Sequence, residues 1–458
     1  MLFLCFLLCV TTSVAMGNIL LLSEPPPLLL VSFDGFRAEY LRRFPMPNLE
    51  LLYSQGVLVE DLTNVFVTKT FPNHYTLVTG LYPESHGIVA SHMYDPIIKG
   101  YFPQGNDEKE AVWWSEAEPL WITALDFGYK TAAMMWPGSH YSYNNRTATH
   151  SVPYNLEVTF QQRLNNVTQW ILGNGEEPGA KFAALYWEEP DRSGHKYGPD
   201  SENMAKALKE VDDNIGLIVS ELKRTGLWGH INVMVTSDHG MAQCSPDRVI
   251  HLDACLHPDN YTLVDITPVA ALIPREDAQM VFDLLNHCHA HMTAYMKENI
   301  PERLHYRNNR RIQPIILIAD EGWTILHNGN QLRLGDHGYD NSLPSMHPFL
   351  AAMGPSFRRR YRLSNLNSVD IYPLMCHLLS VPPRPNNGSL TQALSLLHTQ
   401  RQKLDLSLVF TLTVGIVLVL FTIQLLFRWL RSYRQSGSPA FHRLECNGDV
   451  ELRANSCK

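Results

Sequence analysis

Leu28-Leu-Leu-Val-Ser-Phe33-Asp34-Gly35 decides the reading of this chain. The run is apolar almost throughout, too short for an ordinary helix, and continuous rather than alternating. That is the pattern of a strand buried on both faces. Two other runs end the same way. Phe182-Ala-Ala-Leu-Tyr-Trp187 leads into Glu188-Glu189-Pro190-Asp191, with His195 four residues further on, and Ile231-Asn-Val-Met-Val-Thr-Ser237 leads into Asp238-His239-Gly240. Between them, Asn203 to Arg224 carries Met204, Leu208, Val211, Ile215, Ile218 and Leu222 at helical spacing, which predicts a long amphipathic helix. Strands alternating with helices predict an α/β fold, a central sheet flanked by helices.

In open α/β sheets, ligands bind outside the carboxyl ends of the strands. Asp34, Asp191, His195, Asp238 and His239 are therefore expected on one rim, and Gly335-Asp336-His337-Gly338 offers a further imidazole in a tight turn. A single strand-end Asp is most often a cap or turn residue, and a lone His is most often surface or core. Three strand-end carboxylates with histidines close by carry more weight. Carboxylate and imidazole together suit Zn²⁺. Six such groups exceed what one four-coordinate ion takes and fit two. Two ions about 4 Å apart can stabilise both the attacking and the leaving oxygen of a phosphoryl displacement.

The nucleophile candidate lies in Thr68-Lys-Thr70-Phe-Pro-Asn-His74. Pro72 suits the first turn of a helix. A Thr70 hydroxyl at that position could simply cap the helix. Alternatively, the helix end gathers an anion and the hydroxyl, activated by a metal, attacks it. Lys69 reads equally well as a solvated charge.

The rest of the chain sets the topology. Of 458 residues, 45% are apolar and 18% charged, enough to build a large core. The net charge is −8, and no basic stripe runs through the body, so polymeric nucleic acid is not expected as a partner. Leu2 to Val10, followed by Ser13, Val14 and Ala15, reads as a signal peptide over 1–15. Residues 406–427 carry no formal charge, and about 20 such residues cross a bilayer. Arg428, Arg431 and Arg434 follow at once and favour the cytoplasmic side. The expectation is a single-pass type I protein of the cell membrane. Its extracellular catalytic body spans 25–380, followed by a Pro-, Asn-, Ser- and Gln-rich stalk over 381–405, the transmembrane helix over 406–427 and a cytoplasmic tail over 428–458. Asn145, Asn166, Asn260 and Asn387 stand in glycosylation triplets. Of the four cysteines expected outside, Cys255 and Cys288 are taken as a disulfide, with Cys244 and Cys376 open.

Asp34-Gly35-Phe36-Arg37, Lys69-Thr70-Phe71-Pro72-Asn73-His74, Asp191 with His195, Ser237-Asp238-His239-Gly240 and Asp336-His337-Gly338-Tyr339 together resemble the nucleotide pyrophosphatase/phosphodiesterase family, in order and across nearly the whole body. The single-domain, type I membrane members are the nearest in pattern. The resemblance implies an alkaline-phosphatase-like fold with two zinc ions. One ion would take Asp34, Thr70, Asp238 and His239, and the other Asp191, His195 and His337. Thr70 would attack phosphorus and form a nucleotidyl-threonine intermediate. Phe71 and Tyr154 match positions whose rings hold the nucleobase. The implied substrates are extracellular nucleotides, dinucleoside polyphosphates such as diadenosine triphosphate among them, with AMP released. NAD cleavage is the nearest alternative, and a cell-surface receptor or adhesion protein with weak activity is another. The presence of all seven metal-binding positions argues against the last. One position departs from the family. An Asn usually follows the His-Gly-Ile-Val run and donates to a phosphate oxygen, but here His86-Gly-Ile-Val-Ala90 is followed by Ser91.

Overall fold

The computed structural model describes residues 24–103, 111–327, 331–398 and 406–435. The chain divides into a body, Glu24–His398, and a separate unit that includes the C-terminal helix. The predicted signal peptide lies outside the described residues, as do most of the tail and its cysteines.

Twelve strands form the two larger sheets: β1 (Leu28–Phe33), β2 (Val57–Thr63), β3 (Thr131–Met134), β4 (His150–Val152), β5 (Phe182–Trp187), β6 (Asn232–Thr236), β7 (Tyr261–Asp265), β8 (Val269–Pro274), β9 (Met292–Met296), β10 (Ile315–Ala319), β11 (Leu350–Met353) and β12 (Tyr361–Asn367). The main helices are α1 (Pro47–Ser54), α2 (Thr70–Thr79), α3 (Phe160–Leu172), α4 (Asp191–Tyr197), α5 (Glu202–Arg224), α6 (Ala278–Asn286), α7 (Ile371–Leu378) and α8 (Leu406–Gln435). An eight-stranded sheet in the order β12-β2-β11-β6-β1-β5-β3-β4 forms the centre. β1 runs parallel to both β5 and β6, while β11 is antiparallel to its neighbours β2 and β6.

The continuous apolar run of β1 has the cause expected from the sequence, since both faces of the sheet are covered. Leu28 and Leu30 point to a core shared with Tyr75, Leu77 and Val78 of α2 and Leu374 and Met375 of α7. Leu29, Val31 and Phe33 point the other way, against Leu49 and Leu52 of α1, Leu164 and Val167 of α3, and the apolar stripe of α5. The long helix predicted over 203–224 is α5, capped by the Ser201 hydroxyl accepting from the Met204 amide.

A smaller antiparallel sheet, β7-β8-β10-β9, is covered by Val281 and Leu285 of α6 around its own core. The disulfide Cys255–Cys288 closes this lobe. Cys244 and Cys376 are free and buried.

One boundary needs correction. Residues 381–398, read from composition as the start of a stalk, belong to the folded body. Val381, Ala393, Leu396 and Leu397 are buried, and Arg384 pairs with Glu118 at 2.7 Å and with Asp126 at 2.5 Å. The Asn387 amide donates to the Gly80 carbonyl. A few apolar anchors and one buttressed arginine hold a segment whose overall polarity suggested a free linker. Residues 399–405 lie outside the described set. The C-terminal unit contributes α8, of which Thr411–Gln435 is long and apolar enough to cross a membrane. This helix continues past the predicted 427 boundary through the three arginines.

Candidate active site

Ser32 of β1 is level with Tyr186 of β5 on one side and Thr236 of β6 on the other. The register brings the three strand ends out at one rim. Asp34 follows β1 directly, Asp238 stands two residues after β6, and Asp191 begins α4 after a short loop from β5. The Asp191 amide donates to the Asp34 carbonyl at 2.9 Å, which ties the two ends together. Gly35 makes that approach feasible. Its φ is +70°, and a Cβ there would sit 2.8 Å from the Asp191 Cα and Cβ. Its amide donates to Asp238 Oδ1 at 3.2 Å. His195, four residues along α4 from Asp191, lies on the same helix face. The two-residue strand Gly335–Asp336 pairs with Ala242–Gln243 and delivers His337 to the cluster.

Three overlapping sets of side chains lie close enough to share an ion: Asp191, His195 and His337; Asp34, Asp191 and His239; and Asp34, His74 and Asp238, with ligand atoms within 4.8 Å of one another in each set. The histidines are held in one orientation. His195 Nδ1 faces the Gly335 carbonyl at 2.8 Å, His239 Nδ1 the Gly240 carbonyl at 2.8 Å, and His337 Nδ1 the Thr68 carbonyl at 2.9 Å. A carbonyl only accepts, so each Nδ1 carries the proton, and in the neutral ring each Nε2 keeps its lone pair. Those lone pairs converge. His195 Nε2 and His337 Nε2 are 3.1 Å apart, and His239 Nε2 lies 3.0 Å from Asp238 Oδ2 and 3.3 Å from Asp34 Oδ1. Asp34 Oδ1, Asp191 Oδ1 and Asp238 Oδ2 are buried without a hydrogen-bond partner.

So many acceptors facing one another require positive charge, and the residues fit metal ions for that reason. Their proton affinities show the same tension. Burial, and then the charges of Asp238 and Asp191, push the Asp34 carboxyl well above the usual carboxylate range. Burial works against the Asp238 charge too, but His239 and His74 hold it well below that range. His239 is buried, yet Asp238 raises its proton affinity. Burial, His239 and His195 drive His337 well down.

Thr70 stands at the first position of α2, and its hydroxyl does not cap the helix. It lies instead 3.2 Å from His239 Nε2. The turn before it is clamped by buried Asn73, whose side chain accepts from the Val65 amide and donates to the carbonyls of Val67 and Lys69. Lys69 is not a solvated charge. It is buried, and its ammonium donates to the Thr267 carbonyl at 2.7 Å.

The predicted nucleobase residues are both near the rim. Phe71 packs edge-on against Phe102 and Trp114. Tyr154 is 48% exposed and stands edge-on to Tyr186 at 5.9 Å. Burial, and then Glu188, raise the Tyr154 phenol to about 12. Ser91 is half-buried in the loop after His86, and none of the described hydrogen bonds joins it to Thr70 or to the cluster.

Three participants escaped sequence reasoning. His74 sits four residues after Thr70, bonded to the Thr70 carbonyl and to Ser32 Oγ at 2.9 Å each, with Nδ1 3.3 Å from Asp238 Oδ2. Its i, i+4 spacing from Thr70 was the available signal. The Tyr186 hydroxyl donates to Asp34 Oδ2 at 2.5 Å. Arg333 Nη1 reaches to 3.2 Å from His195 Nε2. No sequence pattern announces either of the last two.

The family model described as type I phosphodiesterase / nucleotide pyrophosphatase matches residues 28–340. The chain is 53% identical over 429 residues to a bis(5'-adenosyl)-triphosphatase of Mus musculus, covering 93% of each, and 51% identical to that of Homo sapiens, covering 93% of this chain and 94% of the relative. Human ectonucleotide pyrophosphatase/phosphodiesterase family member 5 is 46% identical over 375 residues, 81% of this chain and 78% of the relative. Among solved structures, an inactive threonine-to-alanine variant of murine member 5 in complex with AMP has a TM-score of 0.79 at 45% identity, covering 81% of this chain and all of that one. The chain therefore belongs to the type I phosphodiesterase / nucleotide pyrophosphatase family, and it is an enzyme of that class on an alkaline-phosphatase-like fold.

Proposed function

We propose that this chain is a two-zinc ectoenzyme that hydrolyses extracellular dinucleotides such as diadenosine triphosphate and releases AMP through a nucleotidyl-threonine at Thr70. One observation carries the reading. Three imidazoles with Nδ1 committed to carbonyls cluster with three carboxylates, their ligand atoms close to one another and beside the Thr70 hydroxyl. Asp34, Thr70, Asp238 and His239 would hold one ion, and Asp191, His195 and His337 the other. Bound there, the ions supply positive charge that favours an ionised hydroxyl and offsets the charge on the transferring phosphoryl group. Relatives named as bis(5'-adenosyl)-triphosphatases support the substrate class, and the AMP complex of an inactive threonine variant supports the nucleophile.

The chain's own residues do the remainder. The α2 N-terminus faces anionic phosphate. Phe71 and Tyr154 hold the base between aromatic faces. Thr70 Oγ1 bonds to the α-phosphorus, its proton passing to solvent. The bridging P–O bond breaks, and its electron pair leaves with ADP. A water oxygen then bonds to the same phosphorus as the threonine oxygen departs and regains a proton. The sum is one water consumed, with AMP and ADP formed and nothing oxidised. Helix α8 and the glycosylation triplets fit a membrane-anchored extracellular body. Asn145 and Asn387 are exposed on it, and Asn166 and Asn260 are half-exposed.

The test uses the full chain in detergent, offered diadenosine triphosphate, NAD and a nitrophenyl ester of thymidine monophosphate. Turnover should disappear in Thr70→Ala and after chelation, and return on adding zinc. Metal-independent turnover, or an active Thr70→Ala protein, would refute the mechanism. Faster cleavage of NAD than of diadenosine triphosphate would replace the substrate assignment.

A further inference from the structure

We infer that Arg333 binds the departing phosphate chain and sets a preference for substrates whose leaving group carries a phosphate. This rests on the phosphodiesterase reading above and adds a residue to it. The argument begins with sidedness. Thr70 Oγ1 lies against His239, which belongs with Asp34 and Asp238. Arg333 Nη1 lies against His195, 3.2 Å from its Nε2 and 3.4 Å from its Nδ1, and His195 belongs with Asp191 and His337. In a phosphoryl displacement the attacking and leaving oxygens stand roughly in line, on opposite sides of phosphorus. Thr70 touches His239, His239 stacks on His337, His337 meets His195, and Arg333 lies against His195, so three imidazoles stand between the nucleophile and this cation, the placement a leaving-group contact needs.

The backbone under Arg333 is fixed. The next residue, Leu334, donates its amide to the His195 carbonyl, and its own carbonyl accepts from the Cys244 amide and from Gln243 Nε2. The side chain, by contrast, is 55% exposed, and its nearest carboxylate, Asp336 Oδ1, is 3.9 Å away. Lys69, beside the nucleophile, is committed to the Thr267 carbonyl and does not serve this purpose. An anchored base with a loosely held, half-exposed guanidinium beside the cluster suits bidentate capture of a second phosphate. A mononucleotide ester with an aryl leaving group would not use it.

The experiment compares wild type, Arg333→Ala and Arg333→Lys on diadenosine triphosphate and on the nitrophenyl ester of thymidine monophosphate. A charge-assisted contact of this kind predicts a loss in kcat/KM of about tenfold or more for diadenosine triphosphate in Arg333→Ala. The nitrophenyl ester should change less than about twofold, and Arg333→Lys should recover part of the loss. A readout without turnover accompanies it. In zinc-loaded Thr70→Ala protein, adding Arg333→Ala should weaken ADP binding by a similar factor in calorimetry and leave AMP binding unchanged. Equal losses on both substrates, a fall in bound zinc, or no loss on either would overturn the assignment. Wild-type protein inactive on both substrates would instead refute the parent reading, and the ADP-against-AMP comparison would still decide the role of Arg333.

Discussion

Tyr186→Phe removes one oxygen and leaves the ring. The hydroxyl is buried and donates to Asp34 Oδ2 at 2.5 Å, the one described donor to that oxygen. Asp34 is pushed toward its neutral form by burial and by two neighbouring carboxylates, so it needs that donor to remain a carboxylate ready for an ion. A hydrogen bond to a charged group is worth about 1.5–3 kcal/mol, which is roughly ten- to a hundredfold in the affinity of the ion proposed for Asp34. Losing a hydrogen bond that orients a ligand typically costs a metal site the same range. The ring of Tyr154 packs on the Tyr186 ring, which the variant keeps, so the proposed nucleobase platform should survive. Competition with a graded series of zinc chelators measures the first effect, and kcat and KM at saturating zinc measure the second. The variant should require more zinc for half-maximal activity and recover near-normal KM once zinc is saturating. An unchanged zinc requirement would refute the claim that Tyr186 prepares Asp34 for an ion. A raised KM at saturating zinc would show that the hydroxyl acts on the nucleotide instead.

Arg163 is fully buried, paired with Glu188 at 2.9 Å, and also donates to the carbonyls of Tyr186, Val158 and Asn155. Arg163→Met should cost about 3–5 kcal/mol, because Glu188 is left buried and unpaired. Chemical denaturation measures this, and adding Glu188→Gln should return part of it. Burial works against the charge of Asp95, yet Arg311 and Arg310 hold its carboxyl down to about 2 from an ordinary 3.8. A depressed carboxylate contributes fully above the unfolded value, here about 2 kcal/mol, and that contribution fades as pH falls toward 2. Asp95→Asn should therefore be less stable at pH 5 and lose less between pH 4 and 2, as read by denaturation at each pH. Ser91→Asn should raise kcat about tenfold, within the roughly 3 kcal/mol that one oxyanion donor supplies. An unchanged or lower rate would remove Ser91 from the account.

The parts of the site that could be read in the sequence are those whose position follows from chain direction alone. Parallel β1, β5 and β6 must end on the same side, so Asp34, Asp191 and Asp238 could be assigned to one rim before any contact was known. His195 was marked by its position four residues after Asp191, a spacing that the helix α4 turns into a shared face. The rest depends on contacts across the chain. Tyr186 points at Asp34 because strand register places Ser32 beside it, and neither residue's neighbours in sequence carry that information. Lys69 stayed open between a site residue and a solvated charge because its partner is a carbonyl 198 residues away. Residues 381–398 looked like a stalk because window composition averages over a few buried anchors, and the carboxylates that hold Arg384 lie more than 250 residues earlier. The division has a physical basis. Residues that would touch an ion must be acids, imidazoles or hydroxyls at strand ends and helix starts, so chemistry and direction both constrain them. Residues that orient them can be any donor within reach, and only the folded chain selects which one. The fixed Nδ1 positions of His195, His239 and His337 illustrate this, since all three partners are backbone carbonyls and carry no sequence signature at all.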